Sequence, residues 1–300
     1  MIQIWAVVLP VVYLVGLVGS AAYASEGKRP ASNVIAAASS DDANRGRSDD
    51  SDHGRSDDSD RGGWNHDGDF NEKGENPGRN KCAGLVVTIP GTAGNDVING
   101  TVGNDVIAGG GGNDSIIGYG GDDVICGGKG DDTIQGYAGN DRIYGGPGKD
   151  LLDGGVLGCC SSVDDTGNDV IEGGQGDDVL HASDFGNNIL KGGQGNDQLF
   201  GWQGHDTLFG GEGADILNGY IGNDTLSGGH GKDVLNGDDG NDQLKGGNGQ
   251  DRLAGGNGDD QLSGGRGPDY LDGGAGTDTL DGGRGRDTCV AGETLTSCEL

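Results

Sequence analysis

The chain has few of the residues from which large hydrophobic cores are built. Aromatic residues make up 5% of its 300 residues, all hydrophobic residues together make up 31%, and there is a single methionine. Neither H-E-x-x-H nor G-x-S-x-G occurs, and no apolar stretch after Ala24 is long enough to cross a membrane. This composition argues against a catalytic domain and against a pore-forming segment, and we expect no enzyme activity.

Positive charge is also scarce. Nineteen Lys and Arg residues face 49 Asp and Glu residues, which leaves a formal net charge of −30 at pH 7. Nucleic acid is therefore disfavoured as a partner, because its binding depends on contacts from Lys and Arg to phosphates. The same excess of carboxylates provides hard oxygen ligands for cations.

Glycine, with 69 residues, is abundant and regularly placed. From residue 91 almost to the C-terminus, the phrase Gly-Gly-x-Gly-x-Asp-x-(Ile/Leu)-x occurs in 21 copies, and Gly127–Gln135 is a clean example. Twenty copies have Asp at the sixth position, and one has Asn188 there. The predicted metal ligands are these sixth-position aspartates: Asp96, Asp105, Asp114, Asp123, Asp132, Asp141, Asp150, Asp169, Asp178, Asp197, Asp206, Asp215, Asp224, Asp233, Asp242, Asp251, Asp260, Asp269, Asp278 and Asp287.

Each position of the phrase has a physical role. Gly at positions one, two and four permits positive φ and lets neighbouring chains approach closely. The carboxylate of the sixth position suits calcium better than metals that prefer sulfur or nitrogen ligands. Positions seven to nine are predicted to be extended, with the Ile or Leu of position eight pointing inward. So short a strand is stable only when it stacks on neighbours, which predicts a solenoid.

The second position reveals that the true period is two copies of the phrase. Alternate copies begin Gly-Gly, and the copies between them often replace the second Gly, with Thr101, Tyr119, Tyr137, Trp202, Tyr220 and Asp238. A period of 18 is what a flattened coil requires, with two turns and two strands in each lap. We therefore predict a Gly-Gly edge and an aromatic edge, the latter with Tyr119 over Tyr137 and Trp202 over Tyr220.

Two irregularities interrupt the phrase. Asp150 and Asp169 are separated by ten positions more than the usual nine, yet the Gly-Gly copies keep their alternation afterwards. The segment 158–163 is therefore predicted to belong to a loop inserted within one turn. The second irregularity, residues 182–188, is one residue longer than normal and lacks the Gly pair, which predicts a weak or empty metal position at Asn188.

The phrase resembles the calcium-binding repeat of the repeats-in-toxin (RTX) family, also called the hemolysin-type calcium-binding repeat, over roughly residues 91 to 290. The resemblance implies an all-β fold, a right-handed parallel β-roll (a β-helix solenoid). It also implies calcium ions between stacked turns, held by main-chain carbonyls and the sixth-position carboxylates. Partners would stand two phrases apart, such as Asp96 with Asp114, which allows at most ten sites on one edge and nine on the other.

Calcium would also remove the main obstacle to this fold. Carboxylates stacked about 4.8 Å apart repel one another by roughly 1 kcal/mol per pair even in water-like surroundings. So many glycines also make ordering the chain costly in entropy. We therefore expect a chain that is largely unfolded without calcium and folded with it.

The N-terminal part predicts export. Residues 5–24 are almost wholly apolar and end in Ala22-Tyr23-Ala24, which suits a signal peptide over residues 1–24, although no Lys or Arg precedes the apolar run. An uncleaved membrane anchor is the alternative. Residues 25–80 are acidic and of low complexity, which indicates a disordered linker, and residues 81–300 form the predicted roll with its two caps.

Six cysteines suit an exported, extracellular protein. Cys289 and Cys298 bracket the last repeat and are predicted to pair. Cys82, which precedes a predicted strand over residues 85–89, is predicted to pair with Cys126 at the other end, and the adjacent Cys159 and Cys160 with each other. Six cysteines allow 15 connectivities, so these pairings are hypotheses.

The function expected from the sequence is that of a secreted calcium-binding structural or interaction module, with no membrane contact after cleavage. An unknown extracellular partner is possible, and the aromatic edge is a candidate surface for it, although these rings could simply cover the turns. The alternative is an accessory or truncated member of an RTX system that exports enzymes or toxins. RTX proteins typically leave through a one-step exporter that reads a long C-terminal signal, and here about ten residues follow the last repeat.

Overall fold

A computed structural model describes residues 81–155, 167–183, 185–291 and 294–298. This part of the chain contains no helix and is built from short strands joined by tight turns. The predicted signal peptide, the linker and the Cys159–Cys160 pair lie outside the described residues. The strands in chain order are β1 (Lys81–Cys82), β2 (Leu85–Val86), β3 (Ile89–Pro90), β4 (Val97–Asn99), β5 (Val106–Gly111), β6 (Ser115–Gly120), β7 (Val124–Lys129), β8 (Thr133–Ala138), β9 (Arg142–Pro147), β10 (Leu151–Asp153), β11 (Val170–Gln175), β12 (Val179–His181), β13 (Ile189–Gln194), β14 (Gln198–Phe200), β15 (Thr207–Glu212), β16 (Ile216–Ile221), β17 (Thr225–Gly231), β18 (Val234–Asp239), β19 (Gln243–Gly249), β20 (Arg252–Asn257), β21 (Gln261–Arg266), β22 (Tyr270–Ala275), β23 (Thr279–Arg284), β24 (Thr288–Val290) and β25 (Thr294–Thr296).

Successive strands alternate between two parallel sheets. The even-numbered strands from β4 to β24 form an 11-stranded sheet, and the odd-numbered strands from β3 to β25 form a 12-stranded sheet. Residues two phrases apart are neighbours in the same sheet, as in the pairing of Leu217 with Leu235. The chain is therefore a flattened parallel β-solenoid in which two phrases make one lap, as the alternation of Gly-Gly copies predicts.

The core between the sheets is a single layer of side chains. Each strand from β4 to β24 contributes its position-eight residue, and most of these side chains, such as Ile107 and Leu217, are completely buried. The layer runs from Ile98 to Cys289, with Ile89 and Cys298 packed against its ends. Because only one apolar side chain per phrase is needed, a hydrophobic content of 31% is enough to fill it.

The glycines of the phrase are required for different reasons at different positions. At positions two and four the backbone has positive φ, as at Gly128 (117°) and Gly130 (118°), which side chains rarely tolerate. At position one the requirement is space, because any Cβ on Gly246 would lie 2.6 Å from Oδ2 of Asp251. Most strands are six residues long, although the phrase predicts three. They extend through the Gly pair because these glycines also pair between laps, as Gly110 does with Gly128.

The strand register continues across the ten-residue insertion. Ile143 pairs with Ile171 and Leu152 with Leu180, although the insertion lengthens the chain between the two partners of each pair. The two sheets therefore keep their order on both sides of the insertion, and the predicted loop over residues 158–163 itself lies outside the described residues.

The N-terminal end differs from the expectation of one strand over residues 85–89. Leu85–Val86 instead forms an antiparallel hairpin with Lys81–Cys82, and only Ile89–Pro90 joins the solenoid. The reason is a second small core on the outer face of the sheet, in which Cys82 and Val87 pack against Val124 and Cys126. The predicted disulfide between Cys82 and Cys126 is present, with Cα atoms 5.8 Å apart.

The C-terminal end is closed in a similar way. Cys289 and Cys298 form the second predicted disulfide, with Cα atoms 5.7 Å apart. It ties the last core position to strand β25, which pairs with β23. Among the described residues, no helix is long and apolar enough to span a membrane.

Candidate calcium site

The structure arranges the sixth-position residues in two ladders, one along each edge of the solenoid. The Gly-Gly edge carries Asp96, Asp114, Asp132, Asp150, Asp178, Asp197, Asp215, Asp233, Asp251, Asp269 and Asp287. The aromatic edge carries Asp105, Asp123, Asp141, Asp169, Asn188, Asp206, Asp224, Asp242, Asp260 and Asp278. All of these side chains are buried except that of Asp96, which is partly exposed.

One carboxylate oxygen, Oδ1, is used by the protein itself. It accepts a hydrogen bond from the main-chain N–H of the sixth-position residue one lap earlier, at distances of 2.7 to 3.0 Å along both edges. The insertion does not interrupt this pattern, since Asp150 N–H donates to Asp178. Each carboxylate therefore ties its own turn to the preceding one.

The other oxygen, Oδ2, has no such role in most turns. It is buried and has no hydrogen-bond partner in Asp114, Asp123, Asp132, Asp150, Asp178, Asp197, Asp206, Asp215, Asp224, Asp233, Asp242, Asp251, Asp260, Asp269 and Asp287. A buried acceptor without a partner costs about 1–3 kcal/mol, and more when it is charged. A cation beside each Oδ2 would remove this cost.

Main-chain carbonyls supply further oxygens in the same spaces. A Cβ on Gly246 would lie 2.6 Å from Oδ2 of Asp251 and 2.7 Å from the carbonyl oxygen of Gly264, so both oxygens border the space left open at position one. At position four, a Cβ on Gly267 would overlap the carbonyl oxygen of Gly249, which therefore points toward the next lap. No cluster of three His, Cys, Asp or Glu side chains occurs in the described ranges. The donors around each carboxylate are thus carbonyl oxygens, which are calcium ligands.

Burial changes the acidity of the ladder carboxyls. It raises the pKa of Asp150, Asp206 and Asp242 from 3.8 to about 7. The main-chain N–H of the preceding lap opposes this rise in pKa, and the neighbouring carboxylates add to it. The fold without metal therefore disfavours the ionised ladder, and a bound cation would reverse that preference.

The aromatic residues at position two of the aromatic edge have a positive φ, which is unusual for residues other than Gly. Tyr119, Tyr137, Trp202 and Tyr220 occupy position two with φ between 69° and 79°, where a residue other than Gly costs about 1–2 kcal/mol. The predicted ladders are present: the rings of Tyr119 and Tyr137 are 5.7 Å apart, and those of Trp202 and Tyr220 are 4.9 Å apart and nearly parallel.

Two of the predicted ligands differ from the rest. Oδ2 of Asp96 accepts hydrogen bonds from Thr92, and Oδ2 of Asp105 accepts them from Thr101. Both threonines stand at position two, where their departure from Gly was visible in the sequence. Their hydroxyl contacts to the carboxylates could not be read from it.

Buried carboxylates near main-chain carbonyls, repeated along both edges of a parallel β-solenoid, are an arrangement of oxygens that suits a metal ion. A family model, that of the RTX calcium-binding nonapeptide repeat (four copies), matches residues 90–125, 127–156, 163–185, 183–217, 209–244, 218–253 and 254–289. These matches cover well over half of the chain, which therefore belongs to the RTX calcium-binding repeat family. A comparison with curated proteins gives no match.

Proposed function

We propose that this chain is an exported calcium-binding module whose β-roll folds when calcium binds between its stacked turns. The observation that supports it best is the row of buried Oδ2 atoms without hydrogen-bond partners, each beside carbonyl oxygens of the same edge. The sixth-position aspartates and the carbonyls of positions one and four are the proposed ligands. Bound calcium would supply the positive charge that the ionised ladder lacks.

Electrostatics supports the coupling of binding to folding. In the unfolded chain every carboxylate is hydrated, whereas the roll buries most ladder carboxylates close to one another. The free energy of this burial is unfavourable at pH 7, as the raised pKa values show. Ions that bind only the folded state stabilise it by mass action.

The disulfides and the calcium requirement both favour an extracellular setting. Disulfides persist in oxidising compartments, and extracellular calcium modules bind with dissociation constants of about 10⁻⁴ to 10⁻³ M. The proposed role is structural or interactive and not catalytic, since the repeat itself accounts for nearly all the described residues.

The direct test is to follow folding of the full chain while calcium is added and then removed. Far-UV circular dichroism and calorimetry should show little β-structure in chelator, a cooperative gain at millimolar calcium, and reversal by excess chelator. Magnesium at the same concentration is the control and should be much less effective, because it dehydrates reluctantly and prefers strict octahedral geometry. A chain equally folded in calcium and in chelator would overturn the proposal.

A further inference from the structure

Three turns hold their ladder residue with hydrogen bonds from or to a side chain of the chain itself. The first two are the N-terminal turns of the two edges. The hydroxyl of Thr92 donates to Oδ2 of Asp96 at 2.8 Å, and that of Thr101 to Oδ2 of Asp105, also at 2.8 Å. The main-chain N–H groups of the same threonines donate to the same oxygens, at 2.6 and 2.7 Å.

The threonine hydroxyls also reach the second proposed ligand of each turn. Oγ1 of Thr92 lies 3.4 Å from the position-four carbonyl of Gly94, and Oγ1 of Thr101 lies 3.3 Å from that of Gly103. Each threonine hydroxyl therefore lies within hydrogen-bond distance of both a carboxylate oxygen and a position-four carbonyl oxygen of its own turn. It supplies one proton, which is enough to satisfy the carboxylate oxygen without a metal ion.

The carboxylate of Asp105 lies farther from its position-one glycine than the carboxylate of Asp123 does in the next turn. A Cβ on Gly100 would lie 3.2 Å from Oδ2 of Asp105, whereas at the next turn of the same edge a Cβ on Gly118 would be much closer to Oδ2 of Asp123. Thr101 also lacks the positive φ of Tyr119, its counterpart in that next turn. The difference between these neighbouring turns thus involves both the backbone and the carboxylate.

The third turn is the one that contains Asn188. Oγ of Ser183, which follows Ala182 at position one, lies 3.1 Å from Oδ1 of Asn188 and 3.2 Å from the position-four carbonyl of Gly167 one lap earlier. On the other side, Nδ2 of Asn188 donates to Oδ1 of Asp206 at 3.1 Å. Hydrogen-bond donors of the chain thus bridge this turn to both of its neighbours.

We propose that these three turns exclude calcium. In the first two, the threonine hydroxyl occupies Oδ2 of the aspartate. In the third, the amide of Asn188 stands in place of a carboxylate and the Ser183 hydroxyl bonds to the position-four carbonyl of Gly167. The inference rests on the proposed function. The calcium ladder would then begin at Asp114 on the Gly-Gly edge and at Asp123 on the aromatic edge, and the latter ladder would be divided at Asn188. Excluding calcium from the first lap would avoid placing an ion at the end of the solenoid, where it would be most exposed to water.

The test is a crystal structure of the calcium-loaded full chain, with ions located by their anomalous scattering. Ions beside the Oδ2 atoms of the other turns, and none beside Asp96, Asp105 or Asn188, would support the inference. Ions beside Asp96 or Asp105 would overturn it and leave the proposed function intact. A calcium-soaked crystal without ions at any turn would overturn both.

Engineered turns give a second test that does not need crystals. Replacing both threonines with glycine (Thr92→Gly, Thr101→Gly) creates two Gly-Gly turns and should add two calcium ions per chain in equilibrium dialysis. The matched control is Tyr119→Gly with Tyr137→Gly, which removes two position-two side chains that carry no such hydroxyl bond and should add none. An unchanged ion count in the folded threonine variant would contradict the inference.

The interior turn can be dissected in the same way. Asn188→Asp alone restores the carboxylate but keeps the Ser183 hydroxyl, and we expect no additional ion. Asn188→Asp combined with Ser183→Gly restores the carboxylate and also removes the hydroxyl, and it should add at least one ion. If the single variant already gains the ion, the serine hydroxyl is not what excludes it.

Discussion

The main-chain N–H of Asp132 donates a 2.8 Å hydrogen bond to Oδ1 of Asp150 one lap later, while Oδ2 of Asp150 has no partner. A single carboxylate thus combines a structural oxygen with one that is available to a metal. Asp150→Asn keeps an acceptor at Oδ1 but removes the charge and the second oxygen. We expect this variant to bind about one calcium ion fewer by equilibrium dialysis and to lose roughly 1–3 kcal/mol of calcium-induced stabilisation at about 10 mM calcium.

The control for this variant is Asp131→Asn in the preceding turn. Asp131 is exposed, and its Oδ1 accepts a hydrogen bond from Lys149 N–H, so the substitution makes the same charge change while it keeps the contact. Its calcium count should equal that of the unmodified chain. Equal counts in both variants would show that Asp150 does not bind the ion.

The raised pKa values predict how the calcium-free chain responds to pH. Burial raises the pKa of Asp150, Asp206 and Asp242 to about 7 in the fold, against 3.8 for an ordinary Asp. Between these values the folded chain binds more protons than the unfolded one, so its free energy of unfolding rises as the pH falls from about 7 toward 4. Circular dichroism of metal-free protein should therefore show more β-structure at pH 5 than at pH 7.5.

Two comparisons make this prediction specific. With all three of these aspartates changed to Asn, the pH dependence should become shallower, because three of the titrating groups are gone. In the presence of calcium the trend should reverse, since protons compete with the ion and more calcium is needed at low pH. A metal-free chain that gains no structure on acidification would contradict the assignment of these pKa shifts.

The disulfides should protect the ends of the solenoid and not its middle. Each lap contacts only its neighbours, so the loss of a cap acts locally. In calcium, Cys82→Ala with Cys126→Ala should speed amide hydrogen exchange in strands β3 and β5, whereas Cys289→Ala with Cys298→Ala should do so in β23 and β25. By the chain-entropy model the first disulfide, which spans 44 residues, stabilises by roughly 4 kcal/mol, and the second, which spans nine, by roughly 3 kcal/mol.

Each double variant is the control for the other. Exchange in the central strands β16 and β18 should be unchanged in both, because no cap touches them. If either variant accelerated exchange along the whole solenoid, the laps would be more cooperative than nearest-neighbour contacts allow.

The sequence predicts the features that depend on spacing. The positions of Tyr119 and Tyr137, two phrases apart, were enough to place them side by side. The alternation of the Gly-Gly copies was enough to place Asp150 and Asp178 on the same edge. Features that depend on a single rotamer or turn were not predictable in this way. The hydroxyl of Thr101 reaches Asp105 because its turn keeps negative φ, while Tyr119 takes positive φ at the equivalent position. Likewise, the N-terminal hairpin is explained by the packing of Cys82 and Val87 against Cys126, which is distant in sequence.

The single-layer core makes the stability of the roll depend on one side chain per strand. Leu217 is completely buried, and its neighbour Ile216 on the same strand is 40% exposed on the outer face. Leu217→Ala would leave a gap that the glycine-rich turns cannot fill, and we expect it to lower the free energy of unfolding in calcium by about 2–5 kcal/mol. Ile216→Ala is the matched control and should cost less than about 1 kcal/mol. Denaturant unfolding of both variants at the same calcium concentration measures the difference, and equal losses would mean that the layer between the sheets is not the core.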